Sequence, residues 1–136
     1  MSQLQPQPWP SLLWRWLAGA GLLAGMVGIF FLSEQSHLPQ TFTFPGIDKL
    51  QHATAFGILG ILAQLAIGVR GKSGYLLVAI LIVTCYAIFD ELHQSWIPGR
   101  DSDVYDVLAD FSGATLGAIA VIIFRRLRLK SHALQR

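Results

Sequence analysis

The sequence predicts an all-α, polytopic membrane protein of four transmembrane helices, oriented N-in/C-in. Three observations carry this reading. Hydrophobic residues make up 53% of the 136-residue chain and charged residues only 13%, with a mean hydropathy of +0.50. A soluble domain of this size carries about a quarter charged residues. Four apolar segments each approach the roughly 20 residues that cross a bilayer. Lysines and arginines gather at one end of those segments, and acids at the other. The length permits a single domain.

Residues 1–11 form a cytoplasmic N-terminal segment. Pro6, Pro8 and Pro10 stiffen it, and the first ten residues hold no Lys or Arg. No small-x-small cleavage site closes the apolar stretch 12–32, so it reads as a retained first helix and not a signal peptide. The second helix is expected over 47–69, the third over 75–96 and the fourth over 104–124. Gly71-Lys72-Ser73-Gly74 is a tight turn between the second and third. Residues 39–45 and Pro98-Gly99 punctuate the other two connections. The transmembrane domain thus covers 12–124, and 125–136 is a basic cytoplasmic tail set against anionic headgroups. The single Cys85 excludes an intramolecular disulfide and a cysteine-based zinc site, and its apolar surroundings predict a buried, inert thiol.

Orientation follows from the cations. With the N-terminus in the cytoplasm, only Lys49 and Arg100 of the 10 Lys and Arg fall outside. Arg15, Arg70, Lys72, Arg125, Arg126, Arg128, Lys130 and Arg136 fall inside. So short a basic flank is a topology signal and not a nucleic-acid site. All 8 acids fall at the outer end: Glu34, Asp48, Asp90, Glu91, Asp101, Asp103, Asp106 and Asp110. Trp9, Trp14 and Trp16 at one end and Trp96 at the other read as interfacial belt residues.

The spans are short on that outer side. Residues 75–89 before Asp90 reach roughly 22 Å, 111–124 after Asp110 roughly 21 Å, and 53–69 after His52 roughly 25 Å, against a hydrocarbon core of about 30 Å. Asp90, Glu91, Asp110 and His52 therefore lie below the outer headgroups. Ionisable groups at such depth face a cavity or a partner.

Helical spacing sorts them onto faces. Asp48 and His52, Asp90 and Gln94, and Asp106 and Asp110 are each i,i+4. Gly113-x-x-x-Gly117 continues the last stripe as a close-packing surface, with Gly57 and Gly60 on the second helix and Gly21 and Gly25 on the first in the same role. Asp48 to His52 after Pro45-Gly46 echoes Asp106 to Asp110 after Pro98-Gly99, as two parallel hairpin repeats would. His93 is expected to point away from Glu91, towards the outer interface. Arg100 stands among Asp90, Glu91, Asp101, Asp103 and Asp106. A guanidinium there either neutralises Asp90 or Asp106, or anchors an anionic headgroup. Glu91, Asp90 and His52 are the candidates for acid–base catalysis. No serine or cysteine has a base at diagnostic spacing, no His-x-x-x-His or Glu-x-x-His pair supports a metal, and no motif points to a cofactor.

Taken in order, Asp48-Lys49-Leu50-x-His52-x-x-Ala55-Phe56, Asp90-Glu91-x-x-Gln94, Pro98-Gly99-Arg100 and Asp106-x-x-x-Asp110-x-x-Gly113-x-x-x-Gly117 resemble the VanZ-like family of small membrane proteins, over residues 12–124. Asp110 departs from the family pattern, which more often has Asn. The family is named for an accessory protein linked to teicoplanin resistance, and the resemblance implies a fold and a membrane location but no defined activity. The expectation is a multi-pass protein of the inner (cytoplasmic) membrane, with an outward-facing polar pocket between the second, third and fourth helices. Its ligand-binding residues would be Asp48, His52, Asp90, Glu91, Gln94, Arg100, Asp106 and Asp110. Its partners would be membrane lipids and a lipid-linked cell-wall precursor, a glycopeptide or another amphiphile. Two alternatives stand beside this. One is an enzyme acting on a lipid headgroup, with Glu91 or Asp90 as base and His52 as acid. The other is a closed ion-pair network with no ligand.

Overall fold

The computed structural model describes residues 11–36, 45–68, 74–100 and 102–134, and all its regular structure there is helical. The helices are α1 (Leu12–Ser33), α2 (Ile47–Ile67), α3 (Gly74–Gln94) and α4 (Val104–Leu134), each long and apolar enough to cross a membrane. The expected N-terminal prolines and Trp9, most of the 39–45 connection, the turn at 71–73, and Arg70, Lys72, Asp101 and Arg136 lie outside the described residues.

The helix ends follow local chemistry. Gly46 (φ 81°) and Gly99 (φ 84°) both take the left-handed conformation after a proline, so each Pro-Gly pair turns the chain just ahead of a descending helix. Asp103 caps α4, its Oδ1 accepting from the Tyr105 amide at 2.9 Å. The fourth helix runs 31 residues and passes the expected end at Phe124. The added turns contain Arg, Leu and Lys, which are good helix formers, and no Gly or Pro. At about 46 Å, α4 is longer than a bilayer core is thick.

α2 is central and packs against α1, α3 and α4, whereas α1 does not touch α4 among the described residues. The glycine spacing marks the tightest seam. Gly113 lies against the Ala53 main chain, where a Cβ would stand 2.8 Å from the Ala53 carbonyl carbon. Gly117 meets Gly57 and Gly60 meets Ala114 in the same way. Pairing 53 with 113 and 57 with 117 means that α2 and α4 run side by side in the same direction. On α1, a Cβ at Gly25 would stand 2.7 Å from Leu59 Cδ2. Phe56, Leu59, Ala63, Val83, Ala87 and Ala114 form the interior. Leu23, Val27, Leu81, Ile88, Leu116 and Ile123 point outward, as side chains facing lipid do. Cys85 is exposed on α3, not buried as expected. In a bilayer an apolar run does not imply an interior position.

At the basic end two arginines close α2. Arg15 Nε donates to the Ala66 carbonyl at 3.0 Å. Arg125 Nη1 and Nη2 donate to the Gly68 and Gln64 carbonyls, each at 3.4 Å. The Gln64 carbonyl also accepts from the Gly68 amide at 3.0 Å; a helix C-terminus leaves its last carbonyls short of intrahelical donors, and its dipole favours cations.

Candidate functional site

The acidic end holds a cavity of about 570 Å³. Its walls come from Ile29, Leu32, Ser33 and Ser36 at the end of α1, from Asp48, Gln51, His52, Ala55 and Phe56 on α2, from Asp90 and Gln94 on α3, and from Gly99 and Arg100 after it. The expected pocket used α4 in place of α1. The glycine seam explains the difference: it brings α2 and α4 into backbone contact and leaves no space between them. α1 parts from α2 at this end, and the void lies there. Residues well inside the helices, Ile29, Leu32, Ala55 and Phe56, supply an apolar wall.

Asp90 is 2% exposed. Its Oδ1 accepts from Ser33 Oγ at 2.7 Å and its Oδ2 from Gln94 Nε2 at 2.9 Å. Gln94 Nε2 also reaches Ser33 Oγ at 3.3 Å, so the i,i+4 pair on α3 closes a three-residue cluster with α1. The sequence reading missed Ser33. Its only signal is a polar residue ending a long apolar run.

Glu91 is turned away from this cluster. Successive helix residues diverge by about 100°, and Glu91 Oε1 accepts from the Asp103 amide while Oε2 is buried without a partner. Glu91, Asp106 and Asp110 do not line the cavity.

Asp106 and Asp110 instead brace α2 from behind. Lys49 Nζ lies 2.9 Å from Asp48 Oδ2, 2.7 Å from Asp103 Oδ2 and 2.8 Å from Asp106 Oδ1, the last an ion pair without hydrogen-bond alignment. The Lys49 ammonium holds the Asp103 carboxyl below the usual carboxylate range. His52 Nδ1 lies 3.1 Å from Asp110 Oδ1 and 3.3 Å from Oδ2. A carboxylate only accepts, so Nδ1 carries the hydrogen and Nε2 is the nitrogen left for the cavity. His93 Nε2 lies 2.9 Å from Glu34 Oε1, and the ring stacks on Phe30 at 4.5 Å. His93 thus ties α3 to α1, as does the Tyr86 hydroxyl donating to the Met26 carbonyl.

The expected neutralisation of Asp90 or Asp106 by Arg100 is not what the structure has. Arg100 makes no ion pair among the described residues, and its Nε is buried without a hydrogen-bond partner. The Gly99 turn delivers Arg100 to the cavity wall, while Lys49, one helix position from Asp48, faces the acids of α4. Lys49 was read only as an outer cation. The parallel echo of α2 and α4 was the signal that sets it beside Asp106. Among the described residues, no three His, Cys, Asp or Glu side chains come together in a metal-holding group.

A protein-family model, VanZ/LLP1, matches residues 14–125. The chain belongs to the VanZ/LLP1 family. Comparison with curated proteins and with solved structures finds no match. Every residue lining the cavity of this VanZ/LLP1 protein lies inside the matched span. Its four spans make it a multi-pass membrane protein. Asp110 is the residue that holds His52.

Proposed function

We propose that this VanZ/LLP1 protein sits in the cytoplasmic membrane with both termini inside. There it recognises a lipid-linked or amphiphilic envelope molecule through the cavity at its outward-facing acidic end. Arg100 carries the reading. Among the described residues it is the one guanidinium on the cavity wall, its Nε is buried without a partner, and Asp103, Asp106 and Asp110 are held by Lys49 and His52 instead. A half-buried guanidinium with no carboxylate on it among the described residues suits a phosphate or carboxylate group of a ligand. The wall of Ile29, Leu32, Ala55 and Phe56 suits an acyl or prenyl chain beside it. Lipid-linked cell-wall precursors and glycopeptides both meet the cell at that face, which would connect the site to teicoplanin-type resistance. The test is binding of an anionic lipid to the purified protein in detergent, followed by native mass spectrometry. Arg100→Gln is expected to weaken binding at least tenfold, and unchanged binding would remove the reading. A reporter fused to the C-terminus tests the orientation.

A second reading has one observation in its favour. His52, oriented by Asp110 and left with Nε2 for the cavity, is arranged as acid–base groups are. In an enzyme acting on a lipid headgroup, Asp90 would then be the carboxylate within reach of substrate and Glu91 would not. Equal turnover of membrane lipids by wild type and His52→Gln would end this reading. The ion-pair network of the third reading serves α2 and α4 through Lys49 and His52, and Arg100 stands outside it.

A further inference from the structure

The cavity carries a second charge that the helices leave without a counter-ion. Asp90 lines it and is 2% exposed, yet its two hydrogen-bond donors, Ser33 and Gln94, are neutral. No Lys, Arg or His pairs with it among the described residues. The other acids are disposed of differently. Asp48, Asp103 and Asp106 share Lys49, Asp110 has His52, Glu34 has His93, and Glu91 faces away from the cavity onto a backbone amide. Burying a carboxylate without a cation is costly, and Arg100, itself half-buried, has its Nε buried with no acceptor among the described residues. Asp90 and Arg100 would relieve each other if they met. The structure holds them apart on the wall of one cavity.

We propose that the cavity takes a zwitterionic headgroup, with its anionic group on Arg100 and a protonated primary amine on Asp90. This rests on the anion-recognition reading above and names the other half of the ligand. A primary amine fits better than a quaternary one. It brings N–H donors, and Asp90, the Ser33 hydroxyl and the Gln94 amide oxygen form a cluster of acceptors. A quaternary ammonium is served by an aromatic cage, and the aromatic rings on this wall among the described residues, Phe56 and His52, lie parallel to each other at 6.4 Å and enclose no such cage. Phosphate and amine separated by a short linker describe an ethanolamine phosphate, carried by a phospholipid or free in solution. The apolar wall favours the phospholipid.

The full-length protein in dodecyl maltoside is titrated with phosphatidylethanolamine, its mono- and dimethyl derivatives, phosphatidylcholine, phosphatidylglycerol and soluble phosphoethanolamine, with binding read by native mass spectrometry. Wild type is expected to prefer phosphatidylethanolamine to phosphatidylglycerol at least tenfold, and to lose affinity stepwise as the amine is methylated. Asp90→Asn, which keeps the side-chain size, brings the ethanolamine-to-glycerol ratio towards one. The methylation series needs no variant, so it decides the matter even if Asp90→Asn does not fold. Equal binding of all the lipids by wild type overturns the zwitterion. If that equal binding still falls with Arg100→Gln, the anion reading survives alone; if it does not, both are overturned. Soluble phosphoethanolamine binding as tightly as the lipid keeps the zwitterion and overturns its lipid source.

Discussion

Replacing Lys49 with Met removes the cation that three carboxylates share and keeps most of the side-chain length. The tie to Asp48, whose side chain is 48% exposed, is worth about 0–1 kcal/mol, and the Asp103 carboxyl is open to water. Asp106 is different, with its side chain only 10% exposed. Stripping the partner from a fully buried pair costs about 3–5 kcal/mol. Because Lys49 is itself 31% exposed, water screens part of this, and about 2–3 kcal/mol is the reasonable share. The Asp48 and Asp106 ties together come to roughly 2–4 kcal/mol, or a fall in Tm of about 10 °C for a chain of this size. Thermal unfolding in detergent, followed by tryptophan fluorescence, measures it. Arg100→Met is the control, since Arg100 has no ion pair among the described residues, and it should shift Tm far less. In the double variant Lys49→Met/Asp106→Asn the buried charge is gone, and the cycle should return a coupling energy of about 2 kcal/mol. Lys49→Met no less stable than Arg100→Met, or a coupling near zero, would refute the assignment of Lys49 as the hub.

Gly113→Leu forces a side chain into the Ala53 backbone. Overpacking costs about 1–3 kcal/mol even where side chains can yield, so the variant should elute as aggregate or unfold well below wild type, and a normal Tm would contradict the seam. Ser33→Ala leaves Asp90 with Gln94 as its one side-chain donor. Its expected cost is about 1 kcal/mol in thermal unfolding, and an unchanged Tm would argue that Ser33 is incidental. The tie between Lys49 and Asp103 gives a pH test. The folded carboxyl of Asp103 lies below its ordinary value of 3.8, so the native state favours the ionised form. That contribution is complete above the ordinary value and is lost as pH falls through the lower, folded one. Wild type should lose Tm on acidification below about pH 4, and Asp103→Asn should lose less; parallel curves would count against the tie.

Helix positions were legible because lipid selects apolar runs, and the α2–α4 seam because glycines four apart mark a surface where backbones meet. The gathering of polar groups at one end followed from charge sorting. Partner choice was not legible. Arg100 has five acids near it in sequence, but ion pairs form between neighbours in space, and the parallel register of α2 and α4 hands two of them, Asp103 and Asp106, to Lys49. The same register closed the gap in which the pocket was expected and left the void beside α1. Asp90 and Glu91 illustrate the angular side of the problem. Adjacent in the chain, they serve different neighbours because a helix turns between them. The extension of α4 past Phe124 was missed because hydropathy falls there while helix propensity does not.

The arginines that close α2 also impose an order of events. A chain is made from its N-terminus, so α2 enters the bilayer well before Arg125 and the glycines of α4 have been synthesised. During that interval the Gly68 carbonyl waits for Arg125, and Lys49 and His52 wait without the acids of α4. The α2–α4 interface therefore forms after the others, and a ribosome stalled before residue 104 would leave an intermediate whose Lys49 lacks Asp106 and whose His52 lacks Asp110. The time it persists is set by how fast α4 arrives.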